Sequence, residues 1–154
     1  MRRLPSLLLL LPVSIAAQES GWHYSPYPGE GDRAALGCAY GSTPDDHVCV
    51  AVRCEDDFTV AVYVDTTRAG GDAGRWTISI DDEDHAATAA AEPGSPYGAR
   101  IEGDAADLLD AIKHGVSLFV EPMEGSPVVS NGIGLAGSLQ AINRALYFCA
   151  PRVV

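Results

Sequence analysis

The sequence predicts a β-rich α+β domain, an antiparallel sheet or small sandwich with two short helices, stapled by disulfides. Three observations carry that expectation. Valines alternate with other residues through 48–54 and 58–64, the period of a strand. Two stretches near the end, 104–115 and 138–146, instead space their apolar residues at helical intervals. Four cysteines, Cys38, Cys49, Cys54 and Cys149, follow an N-terminus of the kind that directs export.

That N-terminus begins with the basic Met1-Arg2-Arg3, continues as an apolar run over 4–15, and ends in the small-residue stretch Ser14-Ile15-Ala16-Ala17. A membrane-spanning helix needs about 20 apolar residues; this run is shorter and is broken by Pro5 and Pro12. The pattern is that of a signal peptide cut after Ala17, with no cysteine placed for a lipid anchor. The expected organisation is a signal peptide over 1–17, an aromatic arm rich in Pro and Gly over 18–34, and one globular domain over 35–154. The protein is expected in the periplasm or secreted, with no integral membrane segment once the signal is removed. Loss of Arg2 and Arg3 takes the net charge from −11 to −13. Such a field opposes nucleic acid and anionic lipid; it serves solubility and suits a basic partner.

Four cysteines in an exported chain imply two disulfides, and the sequence permits three pairings. The favoured pairing is Cys38 with Cys49 and Cys54 with Cys149. The first closes a short loop, worth roughly 3 kcal/mol, and the second closes most of the domain, worth roughly 4–5 kcal/mol in the chain-entropy model. A zinc site is the rival, but Cys-x4-Cys with no nearby histidine pair is a poor ligand set.

In chain order, residues 18–34 show neither strand nor helix period, and Trp22, Tyr24 and Tyr27 are expected to pack onto the domain. Strands are expected over 35–40, 48–54, 58–64 and 75–80, joined by turn formers in an antiparallel meander with one buried face. The run 86–91 is ambiguous: alanines favour helix, while its place between turns suits a strand. Residues 92–97, EPGSPY, form a turn. Asp104 is read as the N-cap of a helix with Asp107 at N3, Leu108, Leu109 and Ile112 inward, and Gly115 as its C-cap. Strands follow over 116–121 and 128–136, the latter open to division by a tight turn at Asn131-Gly132. Ser138 is read as the cap of a last helix that turns Leu139, Ile142 and Leu146 inward.

The chemistry-bearing residues assemble into no recognised motif. Asp45/Asp46, the run 55–57 and the run 81–84 are adjacent acids on turns, where they keep a surface wet. The run 81–85 lacks the alternating oxygen ligands of a calcium loop. His23, His47, His85 and His114 have no HExxH or H-x-H spacing. No Gly-x-Ser-x-Gly elbow is present. Gly132-x-Gly134-x-x-Gly137 matches a dinucleotide spacing, but no βα unit follows it, so its glycines are read as packing devices. The expectation is no catalytic residue, no cofactor and no metal.

The succession Trp76-x-Ile78-x-Ile80-Asp81, then Leu108-Leu109-x-x-Ile112-x-x-Gly115-x-x-Leu118-Phe119-Val120, then Ile133-x-Leu135-x-Gly137-Ser138-Leu139-x-Ala141-Ile142 resembles two exported bacterial groups. One is the invasion-associated locus B family of periplasmic proteins; the other is the VasI-type accessory protein of type VI secretion. The resemblance spans roughly 50–149 and lies in packing positions, so it supplies no catalytic residues. It implies a small disulfide-bonded, β-rich periplasmic domain. The expected function is therefore a non-enzymatic accessory or protein-binding domain of the bacterial envelope, with a protein partner in the periplasm. The alternative is an inhibitor of a cationic envelope hydrolase such as a lysozyme, acting through a loop at 45–47 or 81–85. The aromatic arm and the acidic turns are the places where the sequence directs a search for function.

Overall fold

The structure is a computed structural model that describes residues 21–24 and 33–149. The expected signal peptide, Tyr27 and the C-terminal residues 150–154 lie outside it. The described residues form one antiparallel sheet of nine strands with two short helices. The strands are β1 (Gly21–Tyr24), β2 (Ala34–Cys38), β3 (Val48–Cys54), β4 (Val60–Thr66) and β5 (Gly74–Ile80), then β6 (Glu83–Ala91), β7 (Ala99–Ile101), β8 (Ser117–Pro122) and β9 (Gly132–Gly134). The helices are α1 (Ala106–His114) and α2 (Ser138–Ala145), and a 3-10 turn, Leu146–Phe148, follows α2. The strand order is β1-β2-β3-β4-β7-β6-β5-β8-β9. The three-residue β7 joins the two halves, pairing with β4 at Tyr63 and Val64 and with β6 at Ala89, Ala90 and Ala91.

The valine alternation places Val48, Val50, Val52, Val62 and Val64 on one face, with Trp76, Ile78, Leu118 and Val120 from the other half. Leu108 and Ile112 of α1 and Ala141, Ile142 and Ala145 of α2 complete this main core. The opposite face of β2–β4 departs from expectation. Leu36, Cys49, Ala51, Ala61 and Tyr63 are buried there too, in a second cluster with Tyr97. These strands are covered on both faces, and the second cover includes Tyr97, from a loop far along the chain.

Both favoured disulfides are present, Cys38–Cys49 and Cys54–Cys149. Parity explains the second. Cys54 shares the face of Val50 and Val52, against which α2 lies, so the residue after the final turn meets it there.

Several local expectations are corrected. Gly21–Tyr24 of the arm is a strand on the sheet edge, because β2 offers it a partner over four residues. β4 begins at Val60, since Phe58 has a positive φ of 65° that no strand accepts. The ambiguous alanines belong to β6, whose seven-residue register with β5 outweighs their helical propensity. β7 lies just after the 92–97 turn, in residues for which the sequence suggested no element. Residues 128–131 are not strand, although the Asn131 carbonyl accepts the Val120 N–H at 3.4 Å, and β9 is only Gly132–Gly134. Ala105 occupies the N-cap position of α1, while Asp104 accepts the N–H of Ala106 at 2.9 Å. Gly115 is the C-cap of α1 as expected, but in extended backbone (φ −76°, ψ 177°) and not in the left-handed region. It is small for lack of space: a Cβ there would lie 2.7 Å from Ile80 Cγ2 and 2.9 Å from Leu135 Cδ1. Gly137, not Ser138, occupies the N-cap position of α2. Ser138 is buried and donates its hydroxyl to the Ile112 carbonyl at 2.8 Å, tying the two helices together. Leu139 faces outward.

Candidate interaction site at the β3–β4 turn

The site begins with a turn that follows from its own residues. Phe58 donates its N–H to the Glu55 carbonyl (3.0 Å), and Glu55 donates to the Thr59 carbonyl (2.9 Å). Asp57 accepts both the N–H and the hydroxyl of Thr59, at 3.0 and 2.6 Å, and these bonds hold its carboxyl below the ordinary range. Phe58 completes the turn in left-handed backbone, which costs a bulky L-residue roughly 1–2 kcal/mol. Its side chain is 56% exposed.

On one side of the turn lies a polar cleft of about 500 Å³. Tyr63 stands in its floor with its hydroxyl 2.7 Å from Glu55 Oε1 and 3.1 Å from Glu92 Oε2. Burial first, then the bond to Glu55 and the nearby negative charges, pushes the Tyr63 phenol far above its usual value. It stays protonated, and its single proton serves two carboxylates. Arg53 pairs with Glu55, Arg33 pairs with Asp56 at 2.9 Å, and Arg100 lies 3.9 Å from Glu92. The Tyr97 ring, 6.0 Å from that of Tyr63, closes the cleft from the 92–98 loop.

On the other side stands the Cys54–Cys149 disulfide, with Cys149 Sγ 3.4 Å from the Thr59 carbonyl oxygen. Tyr147 and Phe148 are the two residues before Cys149. Their rings pack edge to face at 5.3 Å between centroids, and Tyr147 is 73% exposed. Phe58, Val60 and Phe148 are exposed apolar residues as well, and the Arg33 guanidinium lies 5.6 Å from the centre of the Phe58 ring.

The remaining residues singled out in the sequence are dispersed. Asp81 and Asp82 are the two central residues of the β5–β6 hairpin, both at positive φ as a type I′ turn requires. Asp81 accepts the N–H groups of Val116 and Ser117, at 2.9 and 3.0 Å, and so pins the hairpin to β8. Asp46 closes a small turn with Thr43. His47 Nε2 lies 3.2 Å from Asp65, whose carboxyl burial raises and His47 partly restores. His114 is 3.5 Å from Asp110 on the exposed side of α1, His23 is in β1 and His85 in β6. Among the described residues no group of three or more His, Cys, Asp or Glu is placed to hold a metal ion. The Gly132-x-Gly134-x-x-Gly137 run is β9 and the entry to α2, with Gly132 against the Phe119 ring. Of the arm's aromatics, Trp22 is buried, and Tyr24 carries the Arg144 guanidinium 4.6 Å from its ring centre.

Arg33, Arg53, Tyr63, Glu92, Tyr97 and Arg100 were not singled out in the sequence. One signal was available: Arg53 and Tyr63 both fall on the face opposite the valines of β3 and β4. Their meeting with Glu92 depends on β7, which has no local signature.

No family model matches the chain, and no curated protein matches it. Among solved structures, the chain is similar to invasion associated protein b from Bartonella henselae, at 14% identity and a TM-score of 0.43, over 76% of this chain and 94% of that one.

Proposed function

We propose that this chain is an exported, non-enzymatic domain that binds a protein partner of the bacterial envelope through the β3–β4 turn. The observation that carries the reading is Phe58. A bulky aromatic sits in unfavourable backbone and is more than half exposed, next to Thr59 whose carbonyl lies against Cys149, and Tyr147 and Phe148 just before Cys149 are exposed too. Strain maintained at an exposed aromatic is a mark of a functional surface, and clustered aromatics ringed by charge are the usual anchors of protein interfaces. Asp56, with its side chain 91% exposed, and Asp57 beside it on the same turn suit a partner with an apolar patch edged by Lys or Arg. The paired disulfides fit an oxidising compartment. The non-enzymatic reading is supported by the occupation of the polar groups: Glu55, Glu92, Asp57 and Asp81 are each engaged in holding the fold.

The test is Phe58→Gly, which removes the ring and relieves the backbone. Stability is expected to hold or rise by about 1 kcal/mol, while affinity for a partner captured by photocrosslinking from position 147 falls at least tenfold in a purified two-component assay. Equal affinity of Phe58→Gly and wild type for that partner would overturn the reading. Titration against a lysozyme-type enzyme tests the inhibitor alternative, which requires loss of lytic activity at stoichiometric protein.

A further inference from the structure

We propose that the outer edge of β6 takes up an extended, basic peptide segment of a partner protein as an added strand, at a surface separate from the β3–β4 turn. In a hairpin with a two-residue turn the flanking residues exchange main-chain bonds, and alternate pairs beyond them do the same. Around Asp81-Asp82 those pairs are Ile80 with Glu83, Ile78 with His85 and Trp76 with Ala87. Asp84, Ala86 and Thr88 therefore direct their N–H and C=O groups away from β5. The neighbour on that side, β7, covers only Ala89, Ala90 and Ala91. One further bond, from the Glu102 N–H to the Thr88 carbonyl at 2.8 Å, ends the pairing. Among the described residues the outward main-chain groups of Asp84 and Ala86 have no backbone partner.

The space beside this edge is shaped for a strand. After Ile101 the chain turns at Gly103 and enters α1, leaving a groove of about 540 Å³ between 85–88 and 101–108. The edge carries the small side chains of Ala86, Ala87 and Thr88, which allow a second backbone to approach. The Nε2 of His85, on the groove wall, is buried and has no hydrogen-bond partner among the described residues. It offers a polar contact to an incoming chain. Strand addition to an open edge is an established mode of peptide recognition, with main-chain bonds giving affinity and side chains selectivity.

Charge selects the occupant. Glu102, Asp104 and Asp107 line the groove, and no Lys or Arg does. An extended segment with alternating Lys or Arg complements it. A second copy of this chain, itself strongly acidic, does not.

The experiment uses the exported chain and a short peptide alternating Lys with Val or Thr, with a Glu-for-Lys peptide as control. Saturable binding is expected for the basic peptide, weakening with salt and at least tenfold tighter than for the acidic one. Slower amide exchange is expected at Ala86 and Thr88 when the peptide is added. Ala86→Pro removes an outward N–H without touching the β5 ladder, a position where a strand tolerates proline; it is expected to weaken binding about tenfold with an unchanged melting temperature. Phe58→Gly is expected to leave this binding intact, which separates the fate of this site from that of the turn. Absence of binding, equal binding of the acidic peptide, exchange protection elsewhere, or concentration-dependent self-association through β6 would each overturn the proposal. Should Ala86→Pro fail to fold, the exchange pattern of the wild type decides.

Discussion

Trp22 donates its indole N–H to the carbonyl of Gly134, 3.1 Å away, bridging the two edge strands of the sheet. The sheet thereby curls so that β1 and β9 lie close, with α2 against β1, β2 and β3. The indole rests on Gly37, its register partner in β2, where a Cβ would lie 2.3 Å from Trp22 Cε2.

Gly37→Ala is accordingly expected to displace the indole. The overpacking should lower stability by about 1–3 kcal/mol and shift tryptophan emission to the red as Trp22 meets solvent. Unchanged emission and an unchanged urea midpoint would show that the indole does not hold the edge.

Stability should depend on acid in a direction set by Asp81. The N–H groups of Ser117, then Val116, hold its carboxyl below the ordinary value near 3.8. A carboxyl depressed in the fold stabilises it above the unfolded value and loses that contribution as pH falls through the folded one. The deficit of Asp81→Asn is therefore expected to be full at neutral pH and to vanish in strong acid. Asp65 works the other way: burial raises its carboxyl, against the opposing bond from His47, so ionisation disfavours the fold as pH rises through that raised value. The difference between Asp65→Asn and wild type should move in the variant's favour over that rise. Urea midpoints measured across the acid range check both, and a pH-independent deficit in Asp81→Asn would assign that residue a purely conformational role.

Tyr63 should not ionise with the other tyrosines. Its phenol is buried and faces Glu55 and Glu92. Absorbance titration through the ordinary phenol range near 10 should give wild type and Tyr63→Phe the same amplitude, the wild type gaining one tyrosinate only on alkaline unfolding. The same variant leaves two carboxylates without their shared proton donor, at a cost of about 1–3 kcal/mol. A smaller amplitude in Tyr63→Phe within the ordinary range would show that the hydroxyl is free to titrate.

Much of the fold is legible because it rests on local spacing. Val48, Val50 and Val52 announce β3 and its inward face; Leu108 and Ile112 announce α1; the spacing of the cysteines favours the pairing observed. The candidate sites are less legible. Glu55 and Asp57 read as surface acids because adjacent acids on a turn usually are. What the sequence did not show is that Tyr63 bonds both Glu55, 8 residues before it, and Glu92, 29 residues after it. Phe58 read as the first residue of a strand, since its strained backbone arises from the turn that Asp57 and Thr59 close around it. Ser138 is the first residue of α2 and not its cap, and Gly115 caps α1 as expected but in extended backbone, for a related reason. Both residues are chosen by contact between elements, the one bonding α2 to α1 and the other giving room to Ile80 and Leu135.

The sequence by itself determined the β-rich class, the two helices and the pattern of the main core, and favoured one of three cysteine pairings, because residue period and loop length act over short stretches of chain. Only the tertiary structure decided that β2–β4 are buried on both faces, that Arg53, Tyr63 and Glu92 meet, and that half of β6 is left open beside three carboxylates. Those features follow from the strand order β4-β7-β6-β5. That order is set by which distant surfaces bury each other best, and no local spacing records it.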